Sequence, residues 1–267
     1  MAIKVNYKIK LLEIPTVSTA LLGFLFWTGS IYFRLNYNIS YIFTIPLSTI
    51  GVYTLFTPLH EAAHSNVSSN KLINDIFGNI VVFPFFFATF DLFKFLHLEH
   101  HRHTNVIGLD PDIFSRYGII SCMLMPLHYY KYYLAHATKQ TNFYQRAFCI
   151  SILWLLVYMS YLLGSLNDVV ILWLLPSFLA IGILSYVFDY LPHRDHSDII
   201  NTTKMTDGLK DFNGGKGNDL VSILTCNQLT YHHVHHLHSK IPFYKYPEVW
   251  EENYEEFKDK IEMQTIF

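Results

Sequence analysis

Apolar and polar positions alternate along the chain in long blocks rather than at short intervals. Four apolar runs approach the length of roughly 20 residues that a helix needs to cross the hydrocarbon core of a bilayer. They cover about residues 14–33, 41–59, 148–164 and 169–188. Arg34–Ser40 joins the first two and Ser165–Asp168 the last two. Connections this short predict two antiparallel helical hairpins.

Between the hairpins, Ile76–Phe90 is apolar and aromatic but short and interrupted by Pro84, which predicts an interfacial or re-entrant helix rather than a crossing. Phe114–Arg146, rich in tyrosine around Lys131, reads as a second interfacial helix. Residues 201–218 are polar and Gly-rich, hence a loop, and the acidic, aromatic tail from Pro247 to Phe267 predicts a soluble helix. The expected fold is an all-α membrane protein, one domain over residues 1–267. Four transmembrane helices form two hairpins, and a cytosolic helical cap comprises residues 60–147 and 189–267.

Composition agrees with this pattern: 51% of residues are hydrophobic, 17% aromatic and 15% charged. A formal charge of −2 leaves no polyanion footprint and argues against a nucleic-acid partner. Three scattered cysteines indicate neither a disulfide framework nor a cysteine-based zinc site. Lys4, Lys8 and Lys10 precede the first apolar run, which is too long for a signal peptide and is read as a retained span. Arg34 is the single basic residue bordering either short loop, so the N-terminal tail, the central segment and the C-terminal region are expected on the cytoplasmic side.

Histidine is the unusual count, at 15. His60 and His64 in HEAAH are i, i+4 neighbours at the end of the second run. His97, His100 and His101 in HLEHH share one helix face, and His232, His235 and His236 in HHVHH repeat that spacing. His193 follows the fourth run. The predicted topology brings all nine to one side of the membrane. A tetrahedral zinc site does not use nine imidazoles, so two metals sharing them is the economical reading, and oxygen-activating iron suits nitrogen ligands better than magnesium or calcium.

In these motifs the chain, from about His60 to Pro247, resembles the membrane fatty acid desaturase superfamily, which includes acyl desaturases and carotenoid hydroxylases and ketolases. The resemblance implies that HEAAH, HLEHH and HHVHH hold a di-iron centre on the cytosolic side, with His193 as an additional lone ligand. It implies O2 as co-substrate and a lipid substrate, either a fatty acyl chain or a carotenoid. Acyl-chain desaturation is the first expectation and β-carotene hydroxylation or ketolation the alternative. No fused cytochrome, ferredoxin-like cysteine cluster or dinucleotide fingerprint is present, so electrons are expected from a separate ferredoxin or cytochrome b5-like donor.

Around the boxes, Asp110 and Asp112 either accept a hydrogen bond from a ligand's second ring nitrogen or form a simple turn. Asn227 and Tyr231 precede the third box by about one turn and are weaker candidates to support it. Glu61 either orients a ligand histidine or faces the cytosol. His103, His196, His233 and His238 flank the boxes off the pattern and are read mostly as hydrogen-bonded or electrostatic neighbours, and His128 and His136, among tyrosines, as interfacial residues rather than ligands.

Two rivals remain. HEAAH also satisfies H-E-x-x-H, the helix motif of zinc proteases, but that reading leaves seven patterned histidines unused. A metal transporter would place ionisable ligands near the middle of its spans, whereas the interiors of the four runs contain no His, Asp, Glu or Lys.

Overall fold

The structure is a computed structural model that describes residues 7–85, 89–136, 143–193, 210–212, 220–254 and 262–264. Helix α1 (Ile14–Tyr37) begins with Pro15, whose fixed φ and missing N–H suit a first helical turn. It ends at Asn38, which turns left-handed (φ 52°) and returns its N–H to the Arg34 carbonyl. Helix α2 (Tyr41–Ala63) begins at Ser40, whose hydroxyl accepts the Ile42 N–H.

The two helices pack against each other and touch through glycine. A Cβ on Gly51 would lie 2.6 Å from the Trp27 backbone nitrogen, and one on Gly23 would lie 2.6 Å from the Leu55 side chain. Where side chains are no more apolar than their surroundings, close backbone approach at small residues is what packing has to offer.

Beyond α3 (Lys71–Val81), a 3-10 turn at Phe83–Phe85 leads to α4 (Phe90–His103). A further 3-10 turn at Ile113–Tyr117 precedes α5 (Ile119–His136) and α6 (Phe143–Leu162). The long α7 (Leu166–His193) follows and passes through two π-helical stretches, Val170–Leu174 and Ser185–Tyr190. Among the described residues that follow are three short helices, α8 (Leu220–Leu224), α9 (His232–Leu237) and α10 (Tyr246–Glu252).

Helix α7 packs on the first hairpin. The Ser48 hydroxyl donates to the Leu172 carbonyl at 2.7 Å, and Trp27 meets Phe83 and Trp173 edge-on at 6.1 and 5.9 Å. The Trp173 indole donates to the Pro84 carbonyl, seating the 3-10 turn against α7. At one end of this bundle Arg34 and the Tyr41 hydroxyl both reach Asp168 Oδ1, at 2.9 and 2.6 Å, and tie the α1–α2 turn to the start of α7.

Among the described residues, three helices are long and apolar enough to cross a membrane: Ile14–Tyr37, Tyr41–Ala63 and Leu166–His193. The predicted run at 148–164 falls on α6, a helix of 20 residues. The helices are also longer than the apolar runs. Arg34 lies within α1, the first connection shrinks to Asn38–Ser40, and α2 and α7 carry their histidines on their own last turns.

The segments between need correction. Ile76–Phe90 is not one helix but the end of α3, a 3-10 turn at Pro84 and the start of α4, because Pro84 has no N–H to continue a helical ladder. Phe114–Arg146 divides into a 3-10 turn, α5 and the start of α6, with the first break at Gly118 (φ 103°). Of the predicted loop at 201–218, only Lys210–Phe212 lies among the described residues, as a strand paired in parallel with Glu262–Gln264. In the tail Tyr246–Glu252 is helical and Glu262–Gln264 is a strand, while residues 255–261 and 265–267 of the predicted helix lie outside the described residues.

The opposite end of the bundle is fastened to the segment after the third histidine box. Asn66 Nδ2 donates to the Ser239 and Ile241 carbonyls, the Glu13 N–H donates to Val67 O, and the Tyr244 hydroxyl donates to the Glu13 carboxylate at 2.6 Å. These contacts fix where α2 ends, and so where its histidines point.

Candidate metal centre

Helix periodicity sets up the site. His60 and His64 occupy successive turns at the end of α2, and His97, His100 and His101 share a face of α4. His193 is the last residue of α7, and His232, His235 and His236 lie on α9. The left-handed pair Cys226 (φ 48°) and Asn227 (φ 63°) turns the chain between α8 and α9.

These nine side chains converge in two groups. In the first, one ring nitrogen each of His60, His64, His97, His101 and His235 lies within 4.8 Å of all the others. Their Nε2 atoms approach in series: His60 to His235 at 3.1 Å, His235 to His101 at 2.9 Å, His101 to His97 at 3.1 Å and His97 to His64 at 2.7 Å. The second group is His100, His193 and His236, again within 4.8 Å. His232 joins it, with Nε2 2.9 Å from His193 and 3.1 Å from His236.

The donor set fits metal ions. An imidazole nitrogen has one in-plane direction for a proton or lone pair, so the Nε2 atoms of His97, His101 and His235 cannot each satisfy two neighbours at once. A cation at the centre of each group satisfies every inward nitrogen together.

The outward nitrogens of His60, His100, His232 and His235 are engaged, in the way that fixes a ligand's tautomer. His100 Nδ1–H donates to Asp110 Oδ1 at 2.9 Å, with Asp112 Oδ2 3.3 Å away. His235 Nδ1–H donates to the Tyr246 hydroxyl at 2.9 Å, and His232 Nδ1–H donates to the Gln228 carbonyl at 3.2 Å. His60 Nδ1 has the Gln228 side-chain amide at 3.3 Å and Glu61 Oε1 at 3.7 Å. With the Gln228 amide turned over, its oxygen accepts that proton. Lys240 Nζ donates to the His64 carbonyl, capping the end of α2 with a positive charge.

Electrostatics keep most of these rings in the donor form. Burial holds His64, His97, His101, His235 and His236 well below the ordinary histidine value and takes His232 down to about 3, so all six are neutral at pH 7. His100 differs: burial lowers it, but the Asp110 and Asp112 carboxylates outweigh burial and push it up to about 10 in the metal-free protein. Burial in turn raises Asp112 to about 6.

Asp110 accepts from His100 and also from the Asn105 and Asp112 N–H groups, so it builds the turn that aims it. Asn227 instead donates to the Phe243 carbonyl at 3.4 Å, and Tyr231 is buried against Trp250 while its carbonyl accepts the His235 N–H. Both support the backbone of α9 and are not bonded to a histidine ring by these contacts. Glu61 is fully buried rather than facing solvent.

Of the flanking histidines, His103 lies 3.6 Å from Glu99 on the outer side of α4, His233 packs against Trp250 and His128 stacks on Phe114. His196 and the side chain of His136 lie outside the described residues. Tyr246 and Gln228 were not legible as site residues: each reaches its histidine by tertiary packing, without a spacing motif to mark it.

A cavity with about 990 Å³ of empty space, its open mouth included, opens beside both groups. His60, His97, His100, His232, His235 and His236 form its polar end, and Phe56, Leu59, Phe85, Phe93, Leu184 and Phe188 line much of the remainder. An elongated apolar molecule is the occupant such walls favour.

Residues 35–267 match the family model described as fatty acid desaturase. The chain is 31% identical to the "Beta-carotene ketolase" of Paracoccus sp. (strain N81106 / MBIC 01143) over 198 residues, 72% of each chain. It is 24% identical to the "Beta-carotene 4-ketolase 3" of Haematococcus lacustris over 198 residues, 73% of this chain and 58% of that protein, so it spans less than two thirds of that relative's length. A shorter similarity, 32% over 72 residues, links 26% of the chain to 17% of the "Omega-6 fatty acid desaturase, chloroplastic" of Glycine max.

Proposed function

The chain belongs to the fatty acid desaturase family, and from that premise we propose that it is an integral-membrane, O2-dependent di-iron oxidoreductase that ketolates a cyclic carotenoid. The observation that carries the chemistry is the convergence of nine imidazoles, in groups of five and four, at the polar end of an apolar cavity. The substrate class rests on the extent of similarity: ketolase relatives align over 198 residues, against 72 for the Glycine max desaturase. In this reading α6 is the fourth crossing, and the histidines face the cytosol.

His60, His64, His97, His101 and His235 would hold one iron and His100, His193, His232 and His236 the other. Two irons there supply activation of dioxygen and abstraction of hydrogen from an unactivated C–H bond, with electrons from a separate donor protein. The chain's own residues do the rest. Tyr246, Asp110 and the Gln228 carbonyl hold the outward ring protons of His235, His100 and His232, which keeps each Nε2 lone pair inward. The phenylalanine-lined walls exclude water and hold an elongated hydrocarbon against the two groups.

Acyl-lipid desaturation is the second reading, favoured by the description of the family model and by the similarity to a desaturase. The zinc-protease reading weakens because His60 and His64 stand among three further histidines. The test is expression in a β-carotene-producing host and in a lipid-producing host lacking the corresponding desaturase. Ketocarotenoids in the first support the proposal; new acyl double bonds with carotene untouched would replace it with the second reading.

A further inference from the structure

The cavity wall is not uniformly apolar, because Asp189 lines it together with Asp112 and Tyr129. The last two are committed to the metal centre's surroundings, since the Tyr129 hydroxyl donates to Asp112 Oδ1 at 2.5 Å and Asp112 stands 3.3 Å from His100. Asp189 takes a hydrogen bond from Ser185, one turn earlier on the same helix. The carbonyl oxygen of a carboxyl group accepts two hydrogen bonds whether or not the acid is ionised, so a single hydroxyl leaves it with capacity to spare.

Its place in the fold is also particular. Asp189 lies in the π-helical stretch Ser185–Tyr190, four residues before His193. A π turn inserts a residue, re-aims the side chains that follow and recurs at functional sites. A polar carboxyl group beside Phe188 and Leu184 is costly to keep there unless its oxygens are hydrogen-bonded, and the cavity is the side from which a further donor can reach it.

We propose that Asp189 retains the alcohol formed by a first oxidation, so that the same carbon is oxidised again and leaves as a ketone; this rests on the carotenoid reading. In the first round a ring CH2 gains one oxygen atom from O2. The other atom leaves as water, with two electrons from the donor protein and two protons. A second round with the same stoichiometry converts the alcohol to a geminal diol, which loses water to give the ketone. The starting hydrocarbon has no O–H to donate and the alcohol has one, so an acceptor in the wall holds the intermediate without holding the substrate.

The experiment compares full-length wild type, Asp189→Leu, Asp189→Asn and Ser185→Ala in a β-carotene-producing host by the ratio of alcohol to ketone. In parallel, it measures binding of 4-hydroxy-β-carotene and β-carotene to the purified proteins. The ratio rises about tenfold in Asp189→Leu and less in Asp189→Asn, whose amide oxygen still accepts, and wild type binds the alcohol about tenfold tighter than the hydrocarbon, a preference Asp189→Leu loses. Should Asp189→Leu fail to accumulate, Asp189→Asn and Ser185→Ala carry the test with a shift in the same direction of about threefold. A wild type that makes ketone while the ratio is unchanged in the variants, or that binds both carotenoids equally, overturns the assignment of Asp189 alone. A wild type that makes no oxygenated carotenoid overturns the carotenoid reading and this inference with it.

Discussion

His97 meets two other imidazoles through one nitrogen, at 2.7 and 3.1 Å, and that crowding is where single residues matter most. His97→Ala and His235→Ala are each expected to abolish product and strip bound metal, whereas His103→Ala, on the outer side of α4, keeps both; metal analysis of the purified variants checks this. Tyr246→Phe removes the acceptor for His235 Nδ1–H without removing a ligand. It should lower metal affinity about 10–100-fold with the fold intact, as read by competition with a chelator.

Spacing exposed eight of these histidines because i, i+3 and i+4 repeats survive in one dimension, whereas the lone His193 was marked by its place after the fourth apolar run and by the family resemblance. Tyr246 and Gln228 did not show, because their partners are brought to them only by the turn at Asn227 and the segment after α9. Protonation follows from the same burial. The six depressed imidazoles are neutral in the fold but take up protons below 6.5 when unfolded, so they withdraw stability from the metal-free protein as pH falls through 6.5. His100 acts in the opposite sense: its contribution is full below 6.5 and is lost as pH rises through about 10. Thermal melts of metal-free protein are expected to show a fall in stability from pH 7 to 5.5; a rise would contradict the assignment of neutral rings.

Among the elements, α2 does two jobs with one continuous helix. Its first part packs on α1 through Gly51, and its last turn presents His60 and His64. Gly51→Leu drives a side chain into the Trp27 backbone and should cost about 1–3 kcal/mol, measured as a lowered melting temperature in detergent and reduced metal loading. The apolar run marked this helix but ended at Leu59, because hydropathy stops where polar ligands begin while helical hydrogen bonding continues to Ala63. The same effect hid the end of α7 at His193. Pro84 and Gly118 were visible in the sequence, yet apolar continuity outweighed them, and both segments prove to be broken.

For the whole molecule, the alternation of long apolar blocks with histidine-bearing segments was enough to place every box at one end of the bundle. The Arg34–Asp168–Tyr41 cluster marks the other end. Single cysteines at positions 38 and 167 should therefore react with an impermeant maleimide from one side of the membrane, and cysteines at 10 and 240 from the other; all four labelling from one side would break the four-crossing topology. The two short strands escaped the sequence reading because three-residue pairings carry no periodicity.

The most direct test is the metal content of the purified full-length chain. Two irons per chain are expected, both lost on chelation together with activity and neither retained in full by His97→Ala or His235→Ala. One zinc per chain, or iron content unchanged in both variants, would contradict it.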